Sequence, residues 1–217
     1  MINKKEILKI KKFINENPKY YNNLINVNLD NRVFYGFSSE INQIICHLEM
    51  IELTNTDYYQ FYKIIKKHFN LKNKKILEVA SGPIPILSSI IKENEKTEIT
   101  AVNEKILYKN YKGVKTKEKD LTKPYVLKKY DLIIGFRPCI ISENIINLSM
   151  HYKKDFCIYL CSCPLKPKNE NGIWGQRKWH NYLINIILQN KNYNLKIIKS
   201  KKLLDDCPVL IAKYKKL

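Results

Sequence analysis

From Leu71 onward, short runs of apolar and β-branched residues alternate with stretches whose apolar residues recur at helical spacing. Five predicted strands come before the last helix, and two more come after it with no helix between them. The seven predicted strands are 75–79, 98–102, 113–117, 130–134, 156–160, 194–199 and 208–214. Alternation through five strands implies an α/β fold with a mostly parallel sheet and helices on both faces. The last two strands predict a C-terminal antiparallel hairpin.

The first 70 residues show only helical spacing of their apolar residues. Ser38 and Thr56 are placed to cap the second and third of three predicted helices, and residues 18–31 read as a loop rich in Asn and Tyr. No low-complexity linker separates these residues from the rest of the chain. The sequence therefore predicts an N-terminal helical cap, residues 1–70, packed over the ligand cleft of an α/β domain, residues 71–217.

The net charge bears on possible partners. It is formally +19, from 39 basic and 20 acidic residues, and such a surface attracts polyanions. However, all but three of the basic residues are Lys, in a chain rich in Asn and Ile, as an AT-rich genome would impose. Arg is the residue expected for bidentate recognition of phosphate or guanine. The charge slightly favours a nucleic acid such as RNA as the substrate and leaves a small molecule open.

Membrane and secretory segments are not predicted. No apolar run approaches the roughly 20 residues that a membrane-spanning helix needs. The N-terminal segment alternates Lys with Ile and Leu and lacks the apolar stretch of a secretory signal, so a cytoplasmic location is expected. In such a chain the six Cys favour free thiols over disulfides, and we assign Cys46, Cys157 and Cys207 to the core.

Polar residues and glycines lie just beyond the carboxyl ends of the predicted parallel strands, where open α/β sheets bind ligands. After the first strand, Ser81 and Gly82 form a sharp turn into a helix whose free N–H groups suit a polar or anionic ligand. Glu104, after the second strand, lies 22 residues beyond Gly82. That is close to the roughly 20 residues at which a carboxylate meets ribose hydroxyls. Asp120 comes after the third strand, and Gly135 ends the fourth.

In this order, these residues resemble the class I S-adenosylmethionine-dependent methyltransferases, whose Rossmann-like sheet also closes with a hairpin. The family's first motif would be Glu78-Val-Ala-Ser-Gly82-Pro-Ile84, and its aspartate at the start of strand four matches Asp131. The resemblance implies that Glu104 holds the ribose of S-adenosylmethionine and that Asp120 reads the adenine amino group. The full set of implied cofactor-binding residues is Glu78, Ala80, Ser81, Gly82, Asn103, Glu104, Asp120, Leu121 and Gly135. The expected function is methyl transfer from S-adenosylmethionine.

The first motif departs from the family pattern at Ala80 and Ile84, where glycines are usual. These departures favour an alternative from another class of function, a methyltransferase-like fold that has lost catalysis and serves as a binding module. Retention of Glu104 and Asp120 favours the enzyme.

A second group of candidate residues is rich in thiols. Cys139 comes after the fourth strand, and Cys161 and Cys163 come after the fifth, so adjacent parallel strands would bring them to one rim. The pattern resembles RNA cytosine-5 methyltransferases, with Pro-Cys after strand four and Cys-Ser after strand five. That resemblance implies catalytic roles for Cys139 and Cys161, one thiolate attacking the base and the other assisting product release. Arg137, beside them, would clamp an anionic substrate group.

The same thiols also permit a metal site, because Cys139, Cys161, Cys163 and His180 could supply four ligands to zinc. A Cys-anchored zinc module is therefore a third hypothesis, although the main prediction includes no metal. The C-x-C spacing lacks a second Cys pair, so burial of these thiols as core residues stays open. His180 reads either as a general base at the rim or as a hydrogen-bonded structural histidine.

Overall fold

The computed structural model describes residues 4–25, 39–123, 125–163, 171–172, 174–203 and 206–215. The helices are α1 (Lys4–Glu16), α2 (Pro18–Tyr21), α3 (Ser39–His47), α4 (Asp57–His68), α5 (Ile86–Asn94), α6 (Ser142–His151) and α7 (Gln176–Gln189). The strands are β1 (Lys75–Val79), β2 (Glu98–Asn103), β3 (Lys115–Glu118), β4 (Leu132–Phe136), β5 (Asp155–Tyr159), β6 (Tyr193–Ile198) and β7 (Val209–Tyr214). Short 3₁₀ turns cover Asn22–Leu24, Leu53–Asn55, Tyr111–Gly113 and Cys139–Ile141.

The strands form one seven-stranded sheet in the order β3-β2-β1-β4-β5-β7-β6. The first five strands pair in parallel, and β7 runs antiparallel to both β5 and β6. The strand order reverses between β1 and β4, so the crevice beyond their carboxyl ends is the place where such sheets bind ligands. This topology confirms the predicted mostly parallel α/β sheet and its C-terminal antiparallel hairpin.

The fourth strand begins two residues later than predicted, at Leu132. Asp131, predicted inside it, instead ties the amino ends of β4 and β1 together. Its Oδ2 accepts a hydrogen bond from the Lys75 N–H at 2.8 Å, and its own N–H donates to the Lys75 carbonyl at 2.7 Å. Asp131 therefore lies at the edge of the sheet opposite the ligand crevice and serves to pair the two central strands.

One local prediction for the helices is wrong. Residues 18–21, expected in a loop, form α2, since Pro18 suits a first helical position. Ser142 is the first residue of α6, and its hydroxyl donates to the Cys139 carbonyl at 2.7 Å. Thr56 caps α4 as predicted, accepting from the Tyr59 N–H at 3.3 Å. Ser38 lies outside the described residues.

The two faces of the sheet bury separate apolar clusters. Ile76 of β1 belongs to the cluster that also contains side chains of α1, α3, α4 and α5, whereas the next residue, Leu77, belongs to the cluster containing α6 and α7. This alternation is expected for a strand covered on both sides. The N-terminal helices thus share a core with one face of the sheet. In particular, Tyr58 of α4 stacks on Phe136 of β4 with ring centroids 4.2 Å apart.

Within the part of the chain that is described, no helix combines the length and apolar character needed to cross a membrane.

Candidate functional site

The turn from β1 into α5 is built on left-handed backbone. Ala80 has φ 53° and Gly82 has φ 74°. This conformation costs a residue with a Cβ roughly 1–2 kcal/mol, and glycine adopts it freely. Ala80 therefore holds a conformation that favours glycine, although it carries a methyl group. The Ser81 N–H donates to the Val102 carbonyl of β2 at 3.2 Å, which fixes the turn at the carboxyl edge of the sheet.

Gln43 of α3 holds this turn from the N-terminal helices. Its Nε2 donates to the Ser81 carbonyl at 3.0 Å, and its Oε1 accepts from the Ile84 N–H at 3.2 Å. The side chain is 2% exposed, and a Cβ added at Gly82 would overlap its carboxamide. Gln43 was not among the residues predicted from the sequence. The available signal was a polar residue among the buried isoleucines of an amphipathic helix, since such a residue needs a specific partner.

Glu104 lies beside the β1–α5 turn, at the end of β2. Two hydrogen bonds bracket it: Ser81 N–H to Val102 O, and Leu107 N–H to Pro83 O at 2.9 Å. These bonds keep the segment around Glu104 against the turn, while its side chain is exposed. The neighbouring Asn103 uses its amide locally, donating to the Lys105 carbonyl at 3.0 Å. The exposed carboxylate of Glu104 is therefore positioned to meet a ligand held by the turn.

Asp120 and Leu121 come after β3 at the same edge. The Asp120 carboxylate accepts hydrogen bonds from the Thr122 hydroxyl at 2.6 Å and the Thr122 N–H at 2.9 Å, and lies 3.5 Å from Lys123 Nζ. These hydrogen bonds hold the pKa of Asp120 below its usual value. Leu121 is buried, and its carbonyl accepts from the Asn144 amide. Asp120 thus remains charged. The hydrogen bonds that it accepts from Thr122 stabilise the turn after β3 and use part of the carboxylate's capacity to accept further bonds.

Glu78 lies in the interior, 1% exposed. Its Oε2 accepts hydrogen bonds from the Ser88 N–H at 3.0 Å and from the Ser88 hydroxyl. Burial raises the pKa of Glu78 to about 7, although the bonds from Ser88 act in the opposite direction. The cofactor-binding role of Glu78 stays a prediction; the hydrogen bonds that its carboxylate accepts here come from Ser88 of α5.

Gly135 is the last residue but one of β4, at a position with little room for a side chain. A Cβ at this position would lie 3.2 Å from Pro138 Cγ and 3.3 Å from Val79 Cγ2. Its small size allows β1, β4 and the turn after β4 to approach one another. A side chain at position 135 would therefore disturb the packing of β1 against β4 and the turn after it.

The three thiols predicted to meet at the rim do so. The Sγ atoms of Cys139, Cys161 and Cys163 all lie within 4.8 Å of one another, and those of Cys139 and Cys163 are 3.8 Å apart. Hydrogen bonding from the Cys139 thiol, with smaller contributions from Cys163 and the Arg137 charge, lowers the pKa of Cys161 to about 6 against the opposing effect of burial. The pKa of Cys139 is raised, chiefly because its thiol donates to Cys161. Together they form a compact thiol cluster.

Arg137 is anchored to the neighbouring strand. Its backbone has φ 54°, and its N–H donates to the Tyr159 carbonyl at 2.8 Å. The guanidinium lies over the Tyr159 ring, 5.8 Å from the centroid, and its Nη2 donates to Ser162 Oγ at 3.1 Å. The positive charge is therefore held beside the thiols.

His180 does not join the thiols as a potential metal ligand. Its Nε2 donates to the Cys161 carbonyl at 2.8 Å, and the residue is 7% exposed. Burial lowers the pKa of His180, which favours the neutral ring. This geometry matches the structural histidine considered from the sequence, and the four-ligand set that included His180 does not form. Cys46, Cys157 and Cys207 are buried as expected.

Comparison with known proteins identifies the fold. The sequence matches no protein-family model, and no curated protein is significantly similar to it. A methyltransferase from Pyrococcus furiosus aligns with 83% of this chain and 100% of its own, at 15% identity and a TM-score of 0.55. A mutant of MtNAS in complex with S-adenosylmethionine aligns with 99% of this chain and 85% of its own, at 10% identity and a TM-score of 0.51.

A second MtNAS structure, in complex with MTA and tNA, aligns with 74% of this chain at 10% identity and a TM-score of 0.47. The chain spans 61% of the length of that protein. The two alignments with TM-scores above 0.5 establish a shared fold. Together with the strand order of the sheet, they bear out the fold that the sequence motifs implied.

Proposed function

We propose that this chain, whose fold is that of the class I S-adenosylmethionine-dependent methyltransferases, binds S-adenosylmethionine at the carboxyl ends of β1 and β2 and transfers its methyl group. One observation carries the proposal. The left-handed turn at Ala80 and Gly82 is hydrogen-bonded to the segment that presents Glu104. A turn leading into a helix and an acidic residue after the next strand are the two elements with which such folds hold a nucleoside.

The residues at this edge fit the proposed cofactor. The carboxylate of Glu104 is exposed and would accept hydrogen bonds from the ribose hydroxyls. Gly82 adopts the left-handed backbone of the turn without strain, and the Gln43 carboxamide fills the space beside it. Asp120 stays ionised and would accept from the adenine amino group with the capacity that Thr122 leaves free. One of the structures that share the fold was solved with S-adenosylmethionine, which supports this choice of ligand.

In the proposed reaction, the main task of the protein side chains is to position the cofactor and the methyl acceptor. The sulfonium of S-adenosylmethionine supplies an already activated methyl group, so the protein acts through proximity and orientation. At the end of β4, Gly135 leaves little room for a side chain beside Val79 and Pro138, so the backbone of β1 and β4 is closely packed where the proposed cofactor would lie.

For the acceptor, we favour a nucleobase-containing substrate such as RNA over a small molecule. The net charge of +19 supports a polyanionic partner. Arg137, held beside the crevice by Tyr159 and Ser162, supports binding of an anionic group. Catalysis by Cys139 and Cys161 remains a prediction, and it requires that neither thiol serve as a metal ligand.

Calorimetric titration with S-adenosylmethionine tests the cofactor site directly. The wild-type protein should bind with micromolar affinity, and Glu104→Ala should bind at least about tenfold more weakly because it loses charge-assisted hydrogen bonds. Glu93→Gln is the matched control, since it removes an exposed carboxylate on α5, away from the β1–α5 turn. Equal affinities for all three proteins would contradict the assigned site.

One observation favours a second function. The Gln43 carboxamide occupies the space beside Gly82 and bonds the turn's backbone, so a side chain already takes part of the surface that a ligand would contact. If the correctly folded wild type binds no S-adenosylmethionine, the fold serves as a non-catalytic binding module.

A further inference from the structure

We propose that Cys139, Cys161 and Cys163 form a three-thiolate site for a soft metal ion, Zn²⁺ in the first instance, to which the described part of the chain adds no fourth ligand. The site lies at the carboxyl ends of β4 and β5, separate from the turn assigned to the cofactor. It goes beyond methyl transfer, which needs no metal.

The sulfur geometry fits a tetrahedral ion. Two sulfurs that are each about 2.3 Å from a tetrahedral zinc lie about 3.8 Å apart. Cys139 Sγ and Cys163 Sγ are separated by 3.8 Å, and all three Sγ atoms lie within 4.8 Å of one another. Small side-chain rotations are therefore sufficient to bring all three sulfurs into coordination, with no rearrangement of the strands.

The backbone that carries the thiols is held by hydrogen bonds independent of any metal. The Arg137 N–H bonds the Tyr159 carbonyl at 2.8 Å, which ties the exit of β4 to the end of β5. Cys139 follows two residues later, with φ 46°, as the first residue of a 3₁₀ turn. The Cys161 carbonyl accepts from His180 Nε2 at 2.8 Å. His180 thus holds the backbone of Cys161, one of the proposed ligands, in place. Residues around metal sites commonly orient the ligands by hydrogen bonds of this kind.

The local charge also suits a thiolate site. Three thiolates and one Zn²⁺ carry a net charge of −1, and the Arg137 guanidinium provides one compensating positive charge. Its Nη2 donates to Ser162 Oγ at 3.1 Å, so the charge is held beside the residue that separates Cys161 and Cys163 after β5. Binding would release the thiol protons to solvent. Thiolates select soft ions over Mg²⁺ or Ca²⁺.

The clustering is specific to these three residues. The remaining cysteines, Cys46, Cys157 and Cys207, are buried and do not belong to the cluster. Three thiols with an open fourth position are typical of a site that exchanges an external ligand, whereas closed structural zinc sites have four protein ligands. Because no other described residue supplies a ligand, we infer that water or a substrate donor atom takes the fourth position.

The test is anaerobic titration of the full-length, reduced, metal-free protein with Co²⁺, followed by displacement with Zn²⁺. The expected result is one equivalent of Co²⁺ with a sulfur-to-cobalt charge-transfer band that Zn²⁺ abolishes. Cys163→Ser should weaken Co²⁺ binding by at least about tenfold. Cys46→Ser, which removes a buried thiol from α3, should leave the affinity unchanged and serves as the matched control.

A folded, fully reduced wild type that gives no charge-transfer band overturns the proposal. The proposal is also overturned if Cys46→Ser weakens Co²⁺ binding as much as Cys163→Ser does. Formation of a disulfide within the cluster in preference to metal binding, measured by thiol counting after mild oxidation, would overturn it as well. Circular dichroism of each variant verifies the fold. Titration with S-adenosylmethionine is a separate readout, so failure of the metal site and failure of the cofactor site are distinguishable.

Discussion

The carboxamide of Gln43 fills the space that a side chain on Gly82 would occupy. Gln43 belongs to α3, and Gly82 belongs to the turn after β1, so the contact joins the N-terminal helices to the proposed cofactor site. The same carboxamide bonds the carbonyl of Ser81 and the N–H of Ile84. The geometry of the turn therefore depends on the position of α3.

Gly82→Ala should be strongly destabilising because two costs combine. The left-handed backbone costs a Cβ roughly 1–2 kcal/mol, and the overlap with Gln43 adds to it. Gly113→Ala is the matched control, since Gly113 has φ 76° with nothing near its Cβ position. Chemical denaturation should show a free energy of unfolding at least about 1 kcal/mol lower for Gly82→Ala than for Gly113→Ala. In a Gln43→Ala background this difference should shrink, and an unchanged difference would contradict the steric explanation.

Ala80→Gly should stabilise the protein or leave its stability unchanged. Glycine removes the penalty of roughly 1–2 kcal/mol that a Cβ has in the left-handed conformation. Glycine also raises the conformational entropy of the unfolded chain, which offsets part of this gain in stability. Ala101→Gly is the control. It makes the same chemical change within β2, where Ala101 is buried, and should destabilise by about 1 kcal/mol. Equal destabilisation by both substitutions in urea denaturation would show that Ala80 bears no backbone strain.

Glu78→Gln should change the pH dependence of stability. The pKa of Glu78 rises on folding from 4.5 to about 7. Between these values the folded state holds the proton more tightly than the unfolded chain, so wild-type stability falls as pH rises through this interval. The loss should be on the order of 2–3 kcal/mol, at most about 1.4 kcal/mol per pH unit. Denaturation at pH 5 and pH 8 should therefore show Glu78→Gln gaining stability relative to wild type by that amount.

The exposed Glu93→Gln serves as the control for this measurement and should track the wild-type curve. A Glu78→Gln curve parallel to that of the wild type would mean that the buried carboxyl is not protonated at pH 5.

Tyr58→Ala should lower the stability of the whole protein. Tyr58 is 3% exposed, stacks on Phe136 of β4 and hydrogen-bonds Gln43. Loss of this contact should cost about 3–5 kcal/mol. Tyr59→Ala, on the same helix but less buried, should cost distinctly less. Circular dichroism and the fluorescence of Trp174 and Trp179, which both pack in the apolar cluster on the opposite face of the sheet, should report one coincident transition. Separate transitions would mean that the N-terminal helices unfold independently.

The sheet was largely predictable from the sequence because its strands are short, apolar and punctuated by turns. The predicted β1 agrees with the structure, and the other strands differ by at most two residues at either end. The shift of two residues at β4 has a tertiary cause: Asp131 uses its side chain and N–H to bond Lys75 of β1. The residues around Asp131 predict that it lies within a strand. Its hydrogen bond with Lys75, 56 positions away in the chain, places it instead just before the strand begins.

The candidate site was predictable only as a set of positions. Because parallel strands end at a common edge, the pattern of strands predicted that Glu104, Asp120 and the cysteines lie along one edge of the sheet. It could not assign their partners. The N–H of Thr122 donates a hydrogen bond to the Asp120 carboxylate, and the N–H of Ser88 donates one to the Glu78 carboxylate in the interior. Hydrogen bonds depend on distances of tenths of an ångström, and side-chain packing sets these distances.

The amino-acid sequence was sufficient to predict the succession of the seven strands, the mostly parallel sheet with its closing hairpin, and the proximity of the thiols beyond β4 and β5. The periodicity of apolar residues and the constant direction of parallel strands carry this information. The folded structure was needed to show that Gln43 bonds the β1–α5 turn, that His180 bonds a carbonyl and that three sulfurs lie within 4.8 Å of one another. These are contacts between residues far apart in the chain, and their geometry arises from the packing of the whole core.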